Sequence, residues 1–168
     1  MSEIDEDGIK QWSLTFSDLI SAKLKSNIGL KDFDSEEVVF SEFLESINEP
    51  QWVVLCDDAS TQQSILIIIS YSSIVAMTNN FFSSSAMVEG DEKKALTFTE
   101  QFIANEISDD MVEAFKSNEF SMRLIRVESD LSLIRPFHDD DSLTVFKFNC
   151  SINNSPFGAL KICHSHVL

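Results

Sequence analysis

The longest apolar run of the chain, Ile65-Leu66-Ile67-Ile68-Ile69, constrains the fold more than any other feature of the sequence. β-branched residues favour strands, and a run without polar alternation is typical of a strand that is covered on both faces. The run is far shorter than the roughly 20 apolar residues that a membrane-spanning helix needs. A second strand, at 52–56, precedes it across a polar linker. The sequence therefore predicts a β-hairpin whose second strand lies inside the protein.

The clearest helical pattern covers residues 97–118. Thr97 is suited to cap the first turn, and Glu100, three residues later, is suited to complete a capping box. The apolar positions recur every three or four residues, as they do on one face of a helix; they are Phe98, Phe102, Ile103, Ile107, Met111, Val112 and Phe115. This spacing predicts a long helix that packs this whole stripe against the rest of the protein.

The remaining segments repeat one order of elements. Periodicity predicts helices at 12–26 and 72–82, a helical turn at 41–47, and strands at 38–40, 120–127, 143–150 and 157–163. In the strand at 120–127, alternation puts Phe120, Met122 and Leu124 on the apolar side. Residues 12–70 and 97–163 then share the order helix, strand, interruption, pair of strands. This order predicts an α+β sandwich, with an antiparallel sheet, long helices on one face and an internal pseudo-two-fold repeat.

Composition indicates one compact domain at 12–168 after a flexible acidic tail at 1–11. The chain is 43% hydrophobic and contains 14 Phe, which argues against intrinsic disorder. Its net charge of -16 repels phosphate backbones and anionic lipids, so nucleic acid and membrane surfaces are excluded as partners. The N-terminus shows no basic region before an apolar one, which predicts a cytoplasmic protein. Cys56, Cys150 and Cys163 are odd in number and far apart, which predicts buried free thiols.

A polar loop with aromatic edges, between the helices at 72–82 and 97–118, is the candidate functional site. It holds no group suited to acid–base chemistry, and aromatic and Met side chains at a loop edge are typical of protein interfaces. Core packing of the two phenylalanines is an equally good interpretation at this stage. The predicted partner-binding residues are Asn80, Phe81, Phe82, Ser83, Ser84, Ser85, Met87, Glu89 and Gly90.

Short motifs of this chain occur in one order at compatible spacing. They include Asn79-Asn80-Phe81-Phe82, Glu89-Gly90, Phe98-Thr99-Glu100-Gln101, Arg126-Val127-Glu128-Ser129 and Phe157-Gly158-Ala159-Leu160-Lys161-Ile162-Cys163, preceded by the segment 40–50. In these motifs the chain resembles the middle domain of the flagellar motor switch protein FliM, whose relatives include the CheC and CheX phosphatases. The resemblance covers most of residues 12–163.

The resemblance implies a CheC-like fold and a non-enzymatic protein-binding role, without a cofactor. It implies a place in the cytoplasmic ring of the flagellar switch, peripheral at the basal body on the inner face of the membrane. The implied partners are a FliG-like rotor protein, neighbouring ring subunits and a CheY-like response regulator. Ser83-Ser84-Ser85 stand where the family has paired glycines, so the contact loop is altered. Residues 2–5 resemble the core of the family's CheY-binding peptide, but Glu6 and Asp7 replace its leucines, which favours a solvated tail.

Three alternatives remain for the function. They are a CheC-like phosphatase of a phosphorylated response regulator, a component of a type III secretion ring, and a free-standing regulator that mimics the switch protein's middle domain and caps its lateral neighbour. The phosphatase relatives carry a Glu and, three residues later, an Asn on one helix. Here Asn105 has Phe102 three residues before it, and the helix at 12–26 has no Glu. The sequence therefore disfavours hydrolysis by that route.

Other polar clusters have simpler interpretations than chemistry. Consecutive residues such as Asp139-Asp140-Asp141 do not all point at one ion, so a solvated turn is favoured over a metal site. His164 and His166 are expected at a loose terminus, with His138 equally incidental. The serines at 83–85 lack the surroundings of a nucleophile.

Overall fold

The structure, a computed structural model, describes residues 4–82 and 95–165 and contains helices and strands in alternating groups. The helices are α1 (Glu6–Leu24), α2 (Phe40–Ser46), α3 (Tyr71–Phe81) and α4 (Phe98–Ser117), with a 3-10 turn at Leu131–Leu133. The strands are β1 (Ile28–Val39), β2 (Gln51–Asp58), β3 (Ser64–Ser70), β4 (Met122–Glu128), β5 (Ser142–Ile152) and β6 (Ser155–Ser165). The predicted α+β class is confirmed.

The described strands form one antiparallel sheet of six, in the order β1-β5-β6-β3-β2-β4. Exchanging β1 with β4, β2 with β5 and β3 with β6 gives the same order read backwards. The pair Ile67–Ile162 lies at the centre of this exchange, since Ile65 pairs with His164 on one side and Ile69 with Leu160 on the other. The predicted internal repeat is therefore confirmed as a pseudo-two-fold of the sheet.

The apolar run 65–69 lies in β3, and both faces of this strand are covered by other parts of the protein. Ile65, Ile67 and Ile69 belong to the larger core, together with the buried residues of α1, α3 and α4. Leu66 and Ile68 belong to a second core beneath α2 and the segment that contains the 3-10 turn. Each face of the strand thus needs apolar side chains, which explains the missing alternation.

Helix α1 begins at Glu6, six residues before the predicted start at Trp12. Asp5 caps it by accepting a hydrogen bond from the Gly8 N–H at 2.8 Å, and Ile9 is fully buried. Acidic residues near a helix N-terminus are stabilised by the helix dipole. The acids that suggested a tail are therefore the cap and first turn of a helix in the structure.

Strand β1 is much longer than the predicted strand at 38–40. It lies at one edge of the sheet and pairs only with β5, with a bulge between Lys31 and Asp34 and a left-handed residue, Asp32, at φ 56°. Charged residues and bulges are common on edge strands because they discourage pairing with other chains. The charges and the bulge also remove the alternation of apolar and polar residues from which strands are predicted. The sequence therefore predicts only the strand at 38–40.

Two predicted apolar faces are wrong in part. Phe98 and Phe102 of α4 are 89% and 58% exposed, although the other five residues of the predicted stripe are buried. Leu124 of β4 is 39% exposed because β4 is the other edge strand and carries an extra residue, Ile125, between the pairs that Leu124 and Arg126 make with β2. No helix among the described residues is long and apolar enough to cross a membrane.

Candidate protein-binding site

The described part of the predicted site is the last turn of α3. This helix is capped by Ser70, whose side chain accepts a hydrogen bond from the Ser73 N–H. The Tyr71 hydroxyl donates to the Ser129 carbonyl at 2.5 Å, and Ile74 and Met77 are fully buried. The helix is therefore held along its inner side, and its end has a fixed position.

Gly158 of β6 allows the start of α3 to lie close to the sheet. A Cβ atom at this position would lie 1.9 Å from Ser73 Oγ and 2.6 Å from Ser70 Oγ. The two hydroxyls are 2.7 Å apart and hydrogen bonded, and the Ala159 N–H donates to Ser70 Oγ at 3.3 Å. The glycine of the sequence motif thus has a steric reason in this chain, because any larger residue would displace the cap of α3.

Asn80 fixes the other end of α3. Its side-chain amide donates a hydrogen bond to Ser26 Oγ, in the turn that follows α1. That turn is itself ordered, since Lys25 adopts a left-handed conformation with φ 53° and the Ser26 N–H donates to the Ser21 carbonyl at 3.1 Å. The structure therefore shows Asn80 in a positioning role, half-buried between the two helices.

Phe81 and Phe82 lie beyond this anchor, on the surface. Phe81 is 38% and Phe82 is 55% exposed, and their rings meet edge to face with centroids 4.9 Å apart. The structure favours the surface interpretation of these residues over core packing. The other predicted contact residues lie outside the described residues; they are Ser83, Ser84, Ser85, Met87, Glu89 and Gly90.

The start of α4 follows the segment 83–94 and is fixed by the predicted capping box. Thr97 N donates to Glu100 Oε1 at 2.8 Å, and Glu100 N donates to Thr97 Oγ1 at 3.2 Å. Phe98 and Phe102, which sequence analysis assigned to the core, are exposed on the first turns. The signal that could have found them is the acidic Glu106, which continues their four-residue spacing where an inward stripe would be apolar.

The cysteines and the potential metal ligands of the described residues have defined surroundings. All three cysteines are free and buried, as predicted, and burial raises the pKa of the Cys56 and Cys150 thiols to about 12. Thiols with such pKa values are poor nucleophiles at neutral pH. Within residues 4–82 and 95–165, no group of three or more His, Cys, Asp or Glu is arranged to hold a metal ion.

The structure shows where the acidic segment 138–141 and His164 lie. Asp141 accepts a hydrogen bond from the His138 N–H at 2.8 Å, so the segment 138–141 forms a turn before β5, as predicted. His164 was expected at a loose terminus, and this prediction is wrong: it lies in β6, pairs with Ile65 and Thr144, and its ring stacks on Phe146. His166 lies outside the described residues.

The two long helices lack the Glu and Asn spacing of the phosphatase relatives. In α4, Phe102 stands three residues before Asn105, whose amide donates to the Gln101 carbonyl at 3.0 Å. Helix α1 gains Glu6 through its earlier start, but the residue three positions later is the buried Ile9. Neither α1 nor α4 therefore carries a Glu followed three residues later by an Asn.

No family model and no curated protein matches this chain by sequence. Its fold is a known one, shared by the middle domain of FliM and by CheC-like proteins, because solved structures of both superimpose on the chain. The sequence identity to the FliM and CheX structures is only 11–12%, so the comparison shows a shared fold and no more.

Particular solved structures show how far the likeness extends. The FliM middle domain from Vibrio alginolyticus superimposes with a TM-score of 0.79 at 12% identity, over 95% of this chain and 91% of that one. A FliG–FliM complex from H. pylori contains a chain that matches with 0.79 at 12% identity, covering 96% and 94%. The chemotaxis protein CheX from Desulfovibrio desulfuricans matches less well, with 0.52 at 11% identity, covering 94% and 99%.

Proposed function

We propose that this chain is a non-enzymatic protein-binding module of a flagellar motor switch complex. Its binding surface is the end of α3 with the segment that follows, and its partner there is a FliG-like rotor protein. The observation that carries the proposal is the exposed pair Phe81–Phe82 on a helix that Ser70 and Asn80 hold at both ends. A rigid support with exposed aromatic residues loses little conformational entropy on binding.

The similarity of the fold to FliM middle domains also supports this proposal. FliM middle domains superimpose on the chain much more closely than CheX does, and one matching FliM chain was solved in complex with FliG. In this function the protein acts in the cytoplasm, at the basal body, beside neighbouring ring subunits. A CheY-like response regulator is a further candidate partner, and a ring of a type III secretion apparatus is the alternative location.

The test is a binding measurement between the purified chain and the FliG of the same organism. Replacing Phe82 and Met87 together by Asp puts two charges into the contact, so we expect the affinity to fall at least about tenfold, as is usual for central aromatic residues of interfaces. Leu133→Asp is the matched control, because Leu133 is also 55% exposed but lies in the 3-10 turn.

Equal affinity of the double variant and the unaltered protein would contradict the proposal. Circular dichroism and thermal unfolding must show that the double variant is folded. A measurable rate of phosphate release from phosphorylated CheY, above that of CheY alone, would instead support the phosphatase alternative.

A further inference from the structure

A second surface, on α4, combines apolar and acidic side chains in one line. We call it the α4 stripe and define it as Phe98, Phe102, Glu106, Asp109 and Glu113. The spacing of four, four, three and four residues places these positions on one side of a helix. The stripe is about 22 Å long, at 1.5 Å per residue. It lies on the side of α4 opposite to the buried Ile103, Ile107 and Met111.

The apolar end of the α4 stripe is costly to leave in water. Phe98 is 89% exposed and Phe102 58% exposed, one turn apart. Burying a phenylalanine side chain is favourable relative to leaving it exposed, because apolar surface is removed from water. Neither ring is needed to start the helix, because Thr97 and Glu100 already form the cap. A partner that covers the two rings would recover this free energy.

The other end of the stripe is acidic. The Glu106 carboxylate forms an ion pair with Lys23 at 2.9 Å, while Asp109 and Glu113 are exposed on the next turns. The exposed Lys116 follows on the same side in the last turn, so the acidic part of this side ends at Glu113. The net charge of -16 adds to the negative potential along this end of the stripe. A basic surface is therefore attracted to it, whereas an acidic surface or an anionic membrane is repelled.

We propose that the α4 stripe binds a helix of another protein that carries two apolar side chains one turn apart, followed on the same face by Lys or Arg residues over the next turns. The two apolar side chains pack against Phe98 and Phe102, and the basic ones face Asp109 and Glu113. Recognition of an amphipathic helix depends on a small number of apolar anchors, with charge fixing the register.

A second copy of this chain does not fit the same description. If two copies paired through their α4 stripes, a parallel arrangement would bring the two acidic ends together. An antiparallel arrangement would place each acidic end against the phenylalanines of the other copy. Helix α1 offers one exposed apolar residue, Leu14, followed one turn later by the acidic Asp18. No helix among the described residues presents two exposed apolar side chains followed by basic ones.

The test uses a synthetic helical peptide of about 20 residues, long enough for a stable alanine-rich helix. It carries two Leu one turn apart, then three Lys on the same face, and a fluorophore at one end. Fluorescence anisotropy is expected to show saturable binding to the unaltered protein. The double variant Phe98→Ser with Phe102→Ser is expected to bind at least about tenfold more weakly.

Charge and position are tested separately. The variant Asp109→Lys with Glu113→Lys is expected to bind more weakly and with less dependence on salt, because it removes attraction and leaves the apolar contacts. A peptide with Glu in place of Lys is expected not to bind. Leu14→Ser and Leu133→Ser are the matched controls, since both leucines are exposed elsewhere on the surface.

Three results would overturn the proposal. They are no binding of the Lys peptide at about 1 mM protein, equal binding by the Phe98 and Phe102 double variant, and a concentration-dependent dimer that this double variant abolishes. The last result would assign the stripe to a second copy. The outcome is independent of the FliG test, which uses variants at the end of α3.

Discussion

At the scale of single residues, Gly158 has the most sharply defined requirement. We expect Gly158→Ala to lower the free energy of unfolding by about 1–3 kcal/mol, the usual cost of forcing extra atoms into a packed site. The cause is the 1.9 Å approach of the new Cβ to Ser73 Oγ. Urea unfolding, followed by circular dichroism, measures the change.

The serine that causes the clash provides the control for this prediction. Adding Ser73→Ala removes the nearest atom and leaves Ser70 Oγ at 2.6 Å and the Cβ of residue 73 at 3.1 Å from the new methyl group. We therefore expect the double variant to recover part of the lost stability, relative to the sum of the two single changes. Strict additivity would show that the two residues do not interact and that the close packing described here is wrong.

At the scale of elements, the capping box of α4 controls how firmly this helix begins. Thr97→Ala removes the acceptor of the Glu100 N–H and is expected to cost about 1 kcal/mol of stability. Glu100→Gln keeps an oxygen that can accept from the Thr97 N–H, so a much smaller loss is expected. Thermal unfolding of the two variants makes the comparison; equal losses would contradict this expectation and would mean that the charge of Glu100 contributes as much as the hydrogen bond to Thr97.

Elements with regular apolar periodicity were predicted well, whereas the edge strand β1 was not. The residues of β3, α3 and α4 carry strong patterns because they are packed on at least one full side. β1 was largely missed, since an edge strand with charges at Asp32 and Asp34 and a bulge does not alternate. At the candidate site, the sequence predicts Phe81 and Phe82 at a loop edge, and both are exposed in the structure. It assigns Phe98 and Phe102 to the core, where they do not lie, because helical spacing alone does not distinguish two adjacent faces.

At the scale of the whole molecule, the net charge of -16 opposes compactness. Raising the NaCl concentration from about 0.01 M to 1 M shortens the Debye length from about 30 Å to 3 Å. We therefore expect the midpoint of thermal unfolding to rise by about 3 °C, which corresponds to roughly 1 kcal/mol for a chain of this size.

A variant with less charge checks the cause of this salt effect. Glu45→Lys with Asp140→Lys changes two exposed residues and brings the net charge from -16 to -12, since each substitution adds two positive units. Its unfolding midpoint should depend less on salt. A midpoint that falls with salt in the unaltered protein would show instead that ion pairs such as Lys23–Glu106 outweigh the general repulsion.

The two tryptophans of the chain both report on one helix. Trp12 Nε1 donates to the Met111 carbonyl and Trp52 Nε1 donates to Ser108 Oγ, each at 2.9 Å, so one indole from α1 and one from β2 are bonded to α4 within a single turn. Both rings are nearly completely buried. The protein thus contains an intrinsic fluorescent probe, because its tryptophan emission depends on how α4 packs against α1 and β2. A ligand that bends or displaces this helix is expected to shift the emission wavelength without any added dye.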